Sequence, residues 1–124
     1  AYSYPAVAPP GIPVEVLPEL PVAGVKDSSG DAERLLAELA AYGGAVSVGS
    51  SALLTMAGAL GATGAILALA NAEPERCCAA FAGDREAQLA LLPAHQVAGS
   101  DFPVGIKRLV ADRWGVSPAR RVGS

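Results

Sequence analysis

Aromatic and charged side chains are scarce in this chain. Only 5% of its 124 residues are Phe, Trp or Tyr and 17% are charged, for a net charge of −3. No cluster of lysine and arginine is interleaved with aromatics, so no nucleic-acid partner is expected. Cysteine is limited to the adjacent pair Cys77 and Cys78, and His95 is the only histidine. Neighbouring cysteines rarely bridge each other, and no zinc-ligand spacing accompanies them. They read as small buried residues on a helix, in a protein of the reducing cytoplasm. No signal peptide is visible, and no apolar run has the length and flanks of a membrane span. Residues 50–73 come nearest, but they are rich in alanine and glycine and include Thr55 and Thr63. The chain opens on Ala1 inside what reads as a strand, which is the expected look of a fragment.

What is present is apolar and small. A hydrophobic content of 52% belongs to a globular chain and not to a disordered one, and the length suits one domain. The stretch Val22-Ala-Gly-Val-Lys-Asp-Ser-Ser-Gly30 runs from a short apolar strand into a polar turn and then into a helix. If 22–26 is a strand, Val22, Gly24 and Lys26 share one face. Lys26 then stands at the strand's C-terminal end beside small residues. Burial disfavours a charged amine, and a neutral amine can attack a ketone to form a Schiff base. The competing reading is a lysine whose stem packs on the strand end while its amine reaches solvent.

The remaining chain alternates strand and helix. Residues 1–5 read as the end of a strand, with Tyr2 and Tyr4 on one face, followed by a Pro/Gly loop. Residues 12–20 carry one or two helical turns at most, limited by Pro18. A helix is expected over 31–42, capped by Asp31, with Leu35, Leu36 and Leu39 as its apolar stripe and Gly43-Gly44 at its end. Ala45–Val48 reads as a strand, Gly49-Ser50-Ser51 as a turn in which Ser51 caps a helix over 52–60, and 64–69 as a further strand. The turn is either a plain cap or an anion site. A helix follows over 74–82, opened by Pro74. The βα spacing of about 20 residues predicts a parallel sheet. Beyond Gly83 the pattern changes to two helices, 84–97 and 103–114, and a polar tail over 115–124. His95 and Lys107 read as helix-surface residues. The glycines at 58, 61 and 64 end a helix and enter a strand, the reverse of a dinucleotide loop.

Five segments, in order, carry a resemblance. They are Tyr2-Ser-Tyr-Pro5, Gly24-Val-Lys-Asp-Ser-Ser-Gly30, Gly49-Ser50, Leu60-Gly-Ala-Thr-Gly-Ala-Ile66 with Ala70-Asn71, and Phe102-Pro-Val-Gly-Ile-Lys107. Together they resemble the pyruvate-dependent class I aldolases, the dihydrodipicolinate synthase and N-acetylneuraminate lyase family. The resemblance implies an α/β fold, the C-terminal half of a (β/α)8 TIM barrel, strands five to eight, followed by C-terminal helices. It divides the chain into a half barrel over 1–82 and a helical extension over 83–124.

The same resemblance implies the chemistry. Lys26 matches the Schiff-base lysine and Tyr2 the proton-relaying tyrosine. Ser28, Gly49, Ser50 and the backbone at Ile66 fall at substrate-binding positions. The substrate would be a small 2-oxo acid, with pyruvate released or condensed. No cofactor or metal is implied, since the protonated imine does the polarising. No arginine lies in 2–11, where the synthase branch binds its aldehyde partner's carboxylate, and no acidic residue follows Gly49, where the sialic acid lyases bind sugar hydroxyls. The turn after Lys26 and the run from Ala59 to Asn71 look most like 4-hydroxy-2-oxoglutarate aldolase. The alternatives are a synthase-type condensation or a non-catalytic half-barrel interaction module. A homo-oligomer, or a partner supplying the N-terminal half barrel, is the expected assembly. That half would carry the family's threonine pair for the pyruvate carboxylate.

Overall fold

A computed structural model describes residues 1–119. Four parallel strands form one sheet in the order β1-β2-β3-β4: β1 Tyr2–Ser3, β2 Gly24–Asp27, β3 Ala45–Val48 and β4 Gly64–Ala65. Six helices accompany them: α1 Ala32–Ala41, α2 Leu54–Ala59, α3 Pro74–Phe81, α4 Arg85–Ala90, α5 Leu92–Ser100 and α6 Val104–Trp114. Short 3₁₀ turns occupy Val14–Glu19, Ser51–Leu53 and Leu69–Asn71. Consecutive strands are neighbours joined through helical crossovers, the connection that parallel pairing requires. Among the described residues, no helix is long and apolar enough to cross a membrane.

The sheet's two faces differ in kind. Side chains alternate along a strand, so Val25 and Asp27 on β2 point the same way as their register partners Val46 and Val48 on β3. All four are buried under the helices, where Leu17, Leu35, Leu54 and Ala57 complete the layer. The opposite face carries Gly24, Lys26, Ala45 and Ser47. Parallel strands buried on both faces read as continuous apolar runs. Here one face is small and polar instead.

Several elements differ from the sequence reading. On α1, Leu35 is fully buried and Leu39 packs against the core, but Leu36 is 48% exposed. The buried face of α1 runs through Leu35 and Glu38 to Tyr42, at helical spacing of three and four, and Leu36 lies off it. The strand expected over 64–69 closes after Ala65. The last ladder bond runs from Ile66 N to Val48 O at 3.0 Å, and the chain then turns away at an edge with no further partner among the described residues. The helix expected over 84–97 is two helices broken at Leu91. Pro93 has no N–H for the carbonyl of Leu89, and its ring crowds that carbonyl. Ser50, not Ser51, caps the turn after β3, its oxygen accepting from Ala52 N at 3.4 Å. Cys77 is buried as expected, and its thiol is pushed up to about 11, chiefly by desolvation; Cys78 is exposed. Lys107 donates to the carbonyl of Ala119 at 2.6 Å. Of the expected tail, residues 120–124 lie outside the described residues.

Helices α2 and α3 meet at Gly58, where a Cβ would run into the backbone carbonyl of Phe81. The neighbour is main chain and cannot rotate away, so the two helices would have to part. Gly58→Ala should therefore lower stability by about 1–3 kcal/mol, the usual range for overpacking. Urea denaturation is the check, and an unchanged midpoint would contradict this account of the α2–α3 contact.

Candidate active site

The register of the sheet sets the first pair of residues. Tyr2 on β1 is the direct partner of Lys26 on β2. Lys26 N donates to Ala1 O and Ser28 N to Ser3 O, each at 2.9 Å, which fixes the two strands at this point. Buried Ser3 holds the start of the next segment, its Oγ accepting from Ile12 N at 3.2 Å. The Lys26 ammonium lies 4.6 Å from the centroid of the Tyr2 ring, within cation–π range. None of the ion pairs found among the described residues involves Lys26. The amine therefore has an aromatic face beside it and no carboxylate.

The turns after β2 and β3 close in on each other. Gly49 N donates to Asp27 O at 2.6 Å. A Cβ on Gly49 would collide with Ser28 Oγ and lie 3.0 Å from Asp27 O, so only glycine fits there. Ser29 N donates to Asp27 Oδ1 at 2.9 Å, and Asp31 N donates to Ser29 Oγ at 3.2 Å. Asp31 Oδ1 then accepts from Glu33 N and Arg34 N at 2.9 and 3.2 Å, capping α1. Strand, turn and helix start form one hydrogen-bonded run.

These elements border a cavity of about 440 Å³. Tyr2, Lys26, Ser28, Gly49, Ser50 and Ile66 all line it. The six residues singled out in the sequence are thus brought to one place, at the C-terminal ends of the strands and the turns that follow. Ile66 presents an exposed side chain just past β4. A further wall comes from α5 and the segment beyond, through Ala98, Gly99, Phe102 and Ile106.

One residue of that wall is a correction. His95, read as a helix-surface residue, lines the cavity, and its Nδ1 is 2.8 Å from Ser51 Oγ. Ser51 is buried, and Gln88 Nε2 donates to its carbonyl at 2.9 Å. Gln88 Oε1 in turn accepts from Thr55 N and Thr55 Oγ1. Nothing local to 84–97 signals this contact, which joins segments 44 residues apart. Among the described residues, no three His, Cys, Asp or Glu side chains are placed to hold a metal ion.

Behind Lys26, on the helix side of the sheet, lies a second group that the sequence reading passed over. Asp27 and Glu38 are both buried, with Arg34 beside them. Arg34 Nε is 3.5 Å from Asp27 Oδ1, and Arg34 NH2 is 2.8 Å from Glu38 Oε1, a contact off the line of a hydrogen bond. Two carboxyl groups and one guanidinium leave one negative charge uncompensated. Desolvation, and then repulsion from Asp27, push Glu38 up to about 7, against the pull of Arg34. The i,i+4 spacing of Arg34 and Glu38, with Asp27 following Val25 on the buried face of β2, was the available signal.

Comparison with known proteins rests on structure. No family model matches the chain and no curated protein matches it. Among solved structures, the KD(P)GA structure from T. tenax is similar over 94% of this chain at 25% identity, with a TM-score of 0.80. A candidate dihydrodipicolinate synthase from Thermus thermophilus is similar over 90% at 30% identity, with a TM-score of 0.76. A dihydrodipicolinate synthase structure is similar over 86% at 22% identity, with a TM-score of 0.75. The fold is that of the TIM-barrel aldolases. The chain spans 45%, 44% and 42% of those three proteins, so it corresponds to less than half of each. In the TIM-barrel fold the active site sits at the C-terminal ends of the strands, the end where this cavity lies.

The buried carboxyl pair gives a pH-dependent test. Glu38 carries a folded-state pKa raised from 4.5 to about 7, so the folded chain holds the proton longer than the unfolded one. Its contribution is most favourable below about pH 4.5 and is lost as pH rises to about 7. Glu38→Gln removes this dependence. The stability of the native chain relative to Glu38→Gln should fall by roughly 2–3 kcal/mol between about pH 4.5 and 7.5. Urea melts of both across that range measure it, and a constant difference would refute the assignment.

Proposed function

We propose that this chain carries the Schiff-base half of a class I aldolase acting on a short 2-oxo acid, with pyruvate as product or substrate. The observation that carries the reading is the pairing of Tyr2 with Lys26 across two parallel strands, facing a cavity shared with Ser28, Gly49, Ser50 and Ile66. The likeness to the KD(P)GA and dihydrodipicolinate synthase structures supports it. In this reading the strands are the fifth to eighth of the barrel, residues 1–82 are the half barrel, and 83–124 are the helical extension. The other strands are supplied by the rest of a longer protein, or by a partner in an oligomer.

The mechanism follows from the lysine's place. Lys26 Nζ, as a free amine, adds to the C2 carbonyl of a 4-hydroxy-2-oxo acid, and the carbinolamine loses water to give a protonated imine. Removal of the proton from the 4-hydroxyl breaks the C3–C4 bond and releases an aldehyde. The electron pair flows into the iminium to give an enamine, which is protonated at C3. Hydrolysis returns the amine and pyruvate. Tyr2, beside the amine, is the proton relay for the 4-hydroxyl. Ser28 and Ser50, on either side of Gly49, offer hydroxyl donors for the substrate's oxygens. Ile66 and Leu67 make the end of the cavity at β4 apolar, which suits a short substrate better than a polyol. The turn after Lys26 and the run from Ala59 to Asn71, with no arginine among the described residues that line the cavity, are the basis for favouring 4-hydroxy-2-oxoglutarate cleavage over the synthase reaction.

Borohydride with pyruvate should leave a reduced pyruvyl adduct on Lys26 of the full protein, read by peptide mass spectrometry. Lys26→Met should abolish both the adduct and turnover. It removes an amine that has no ion-pair partner among the described residues, so stability should stay within about 1 kcal/mol of the original. A variant that keeps substantial aldolase activity would sink the lysine's assignment. Tyr2→Phe should still form the adduct while kcat falls by about 10²–10⁴, the usual worth of a positioned proton donor or acceptor.

A further inference from the structure

We propose that Ser51 and His95 form the subsite for the carboxylate at the far end of the substrate, the end that leaves as the aldehyde. This rests on the aldolase reading of the cavity. It concerns a residue outside the strands and selects the substrate class as a dicarboxylate.

The cavity lining is one-sided in its chemistry. Lys26, Tyr2, Tyr4, four serines and His95 line the cavity, and among the described residues no aspartate or glutamate does. The net charge of the chain is −3, yet its described carboxylates all lie outside this lining. A site of donors without acids is complementary to an anion. Once Lys26 is committed to the imine, His95 is the one described lining residue left that can become a cation.

The imidazole is aimed and held. Its Nδ1 is 2.8 Å from Ser51 Oγ, so Nε2 is the nitrogen left for a ligand. With the Ser51 hydroxyl donating to Nδ1, Nε2 carries the proton and is a donor; with His95 protonated, both nitrogens donate. Ser51 cannot drift, because the Gln88 amide N–H clamps its carbonyl while the Gln88 amide oxygen is held by Thr55. On α5, His95, Ala98 and Gly99 share the face that borders the cavity, and the two small residues leave space beside the ring. The position also fits the far end of a substrate. Ser51 lies past the end of β3, whose Ser47 is the partner of Lys26, and His95 meets Ser51 there from α5.

The test compares ligands that differ only at the far end. In the full protein, the ratio of kcat/KM for pyruvate condensing with glyoxylate to that with acetaldehyde should fall about 10- to 100-fold in His95→Ala, the worth of one hydrogen bond to a charged group. Ser51→Ala should move the ratio the same way, and His95→Gln, which keeps an N–H donor, should restore part of it. An unchanged ratio in His95→Ala, with the borohydride adduct on Lys26 still formed, would overturn the subsite and leave the aldolase reading intact. Failure of the unaltered protein to form the adduct would overturn both. Should His95→Ala not fold, the unaltered full protein still decides, with the His95 imidazole NMR signal assigned by its loss in His95→Gln. That signal should shift with 2-oxoglutarate and not with 2-oxopentanoate. Equal shifts with the two would overturn the proposal.

Discussion

Asp27 is a fully buried carboxylate one residue from the lysine of the cavity, and much of the site depends on how it is satisfied. The two-residue period of a strand sends Lys26 to one side of the sheet and Asp27 to the other. Burying a charge is tolerated only with partners, and Asp27 takes two kinds. Arg34 approaches it from α1, and the amide of Ser29 donates to it from the turn. The second of these shapes the cavity. It holds the turn that carries Ser28, and Ser28 in turn fills the space that a side chain on Gly49 would need. The buried carboxylate thus sets the shape of two cavity-lining turns from the far side of the sheet. The cost of the arrangement falls on Glu38, which is left without full compensation.

The opposite face depends on register more than on charge. Tyr2, Lys26, Ser47 and Gly64 stand in one row across four strands. A slip of one residue in β1 would send Tyr2 under the helices and bring Ser3 to the lysine. Two residues are a short strand to carry such a specification. The hydrogen bond from Ile12 to Ser3 and the ladder bonds to Ala1 and Ser3 supply what length does not.

Much of this was legible in the sequence, for local reasons. Strand Ala45–Val48 has the bounds that its small apolar character and the following glycine predict, and Asp31 caps α1 as its side chain predicts. The six cavity residues came from motifs whose order along the chain follows the strands. What was missed depends on contacts between segments. Leu36 lies off the buried face of α1 and Glu38 on it, because that face also carries the contact of Arg34 with Asp27 and is not set by hydrophobicity alone. His95 was misread because its partner, Ser51, lies on the other side of the α2–α4 segment. The break at Pro93 follows a local rule, and the single helix expected over 84–97 yields to it.

The break at Pro93 has a consequence for how the molecule can change. It starts a new helix, α5, whose Pro93 lies two residues before His95, so the ring's aim is set by the axis of α5 and not by the strands. Lys26 and Tyr2 are governed by sheet register, and the α5 wall by helix packing. A substitution that tilts α5 would reshape one wall of the cavity while leaving the lysine and its tyrosine where the sheet holds them. The two sides of the cavity are therefore held by different means and joined at Ser51 and His95: one chain has a fixed anvil and a jaw hinged to it, and the hinge is a single hydrogen bond.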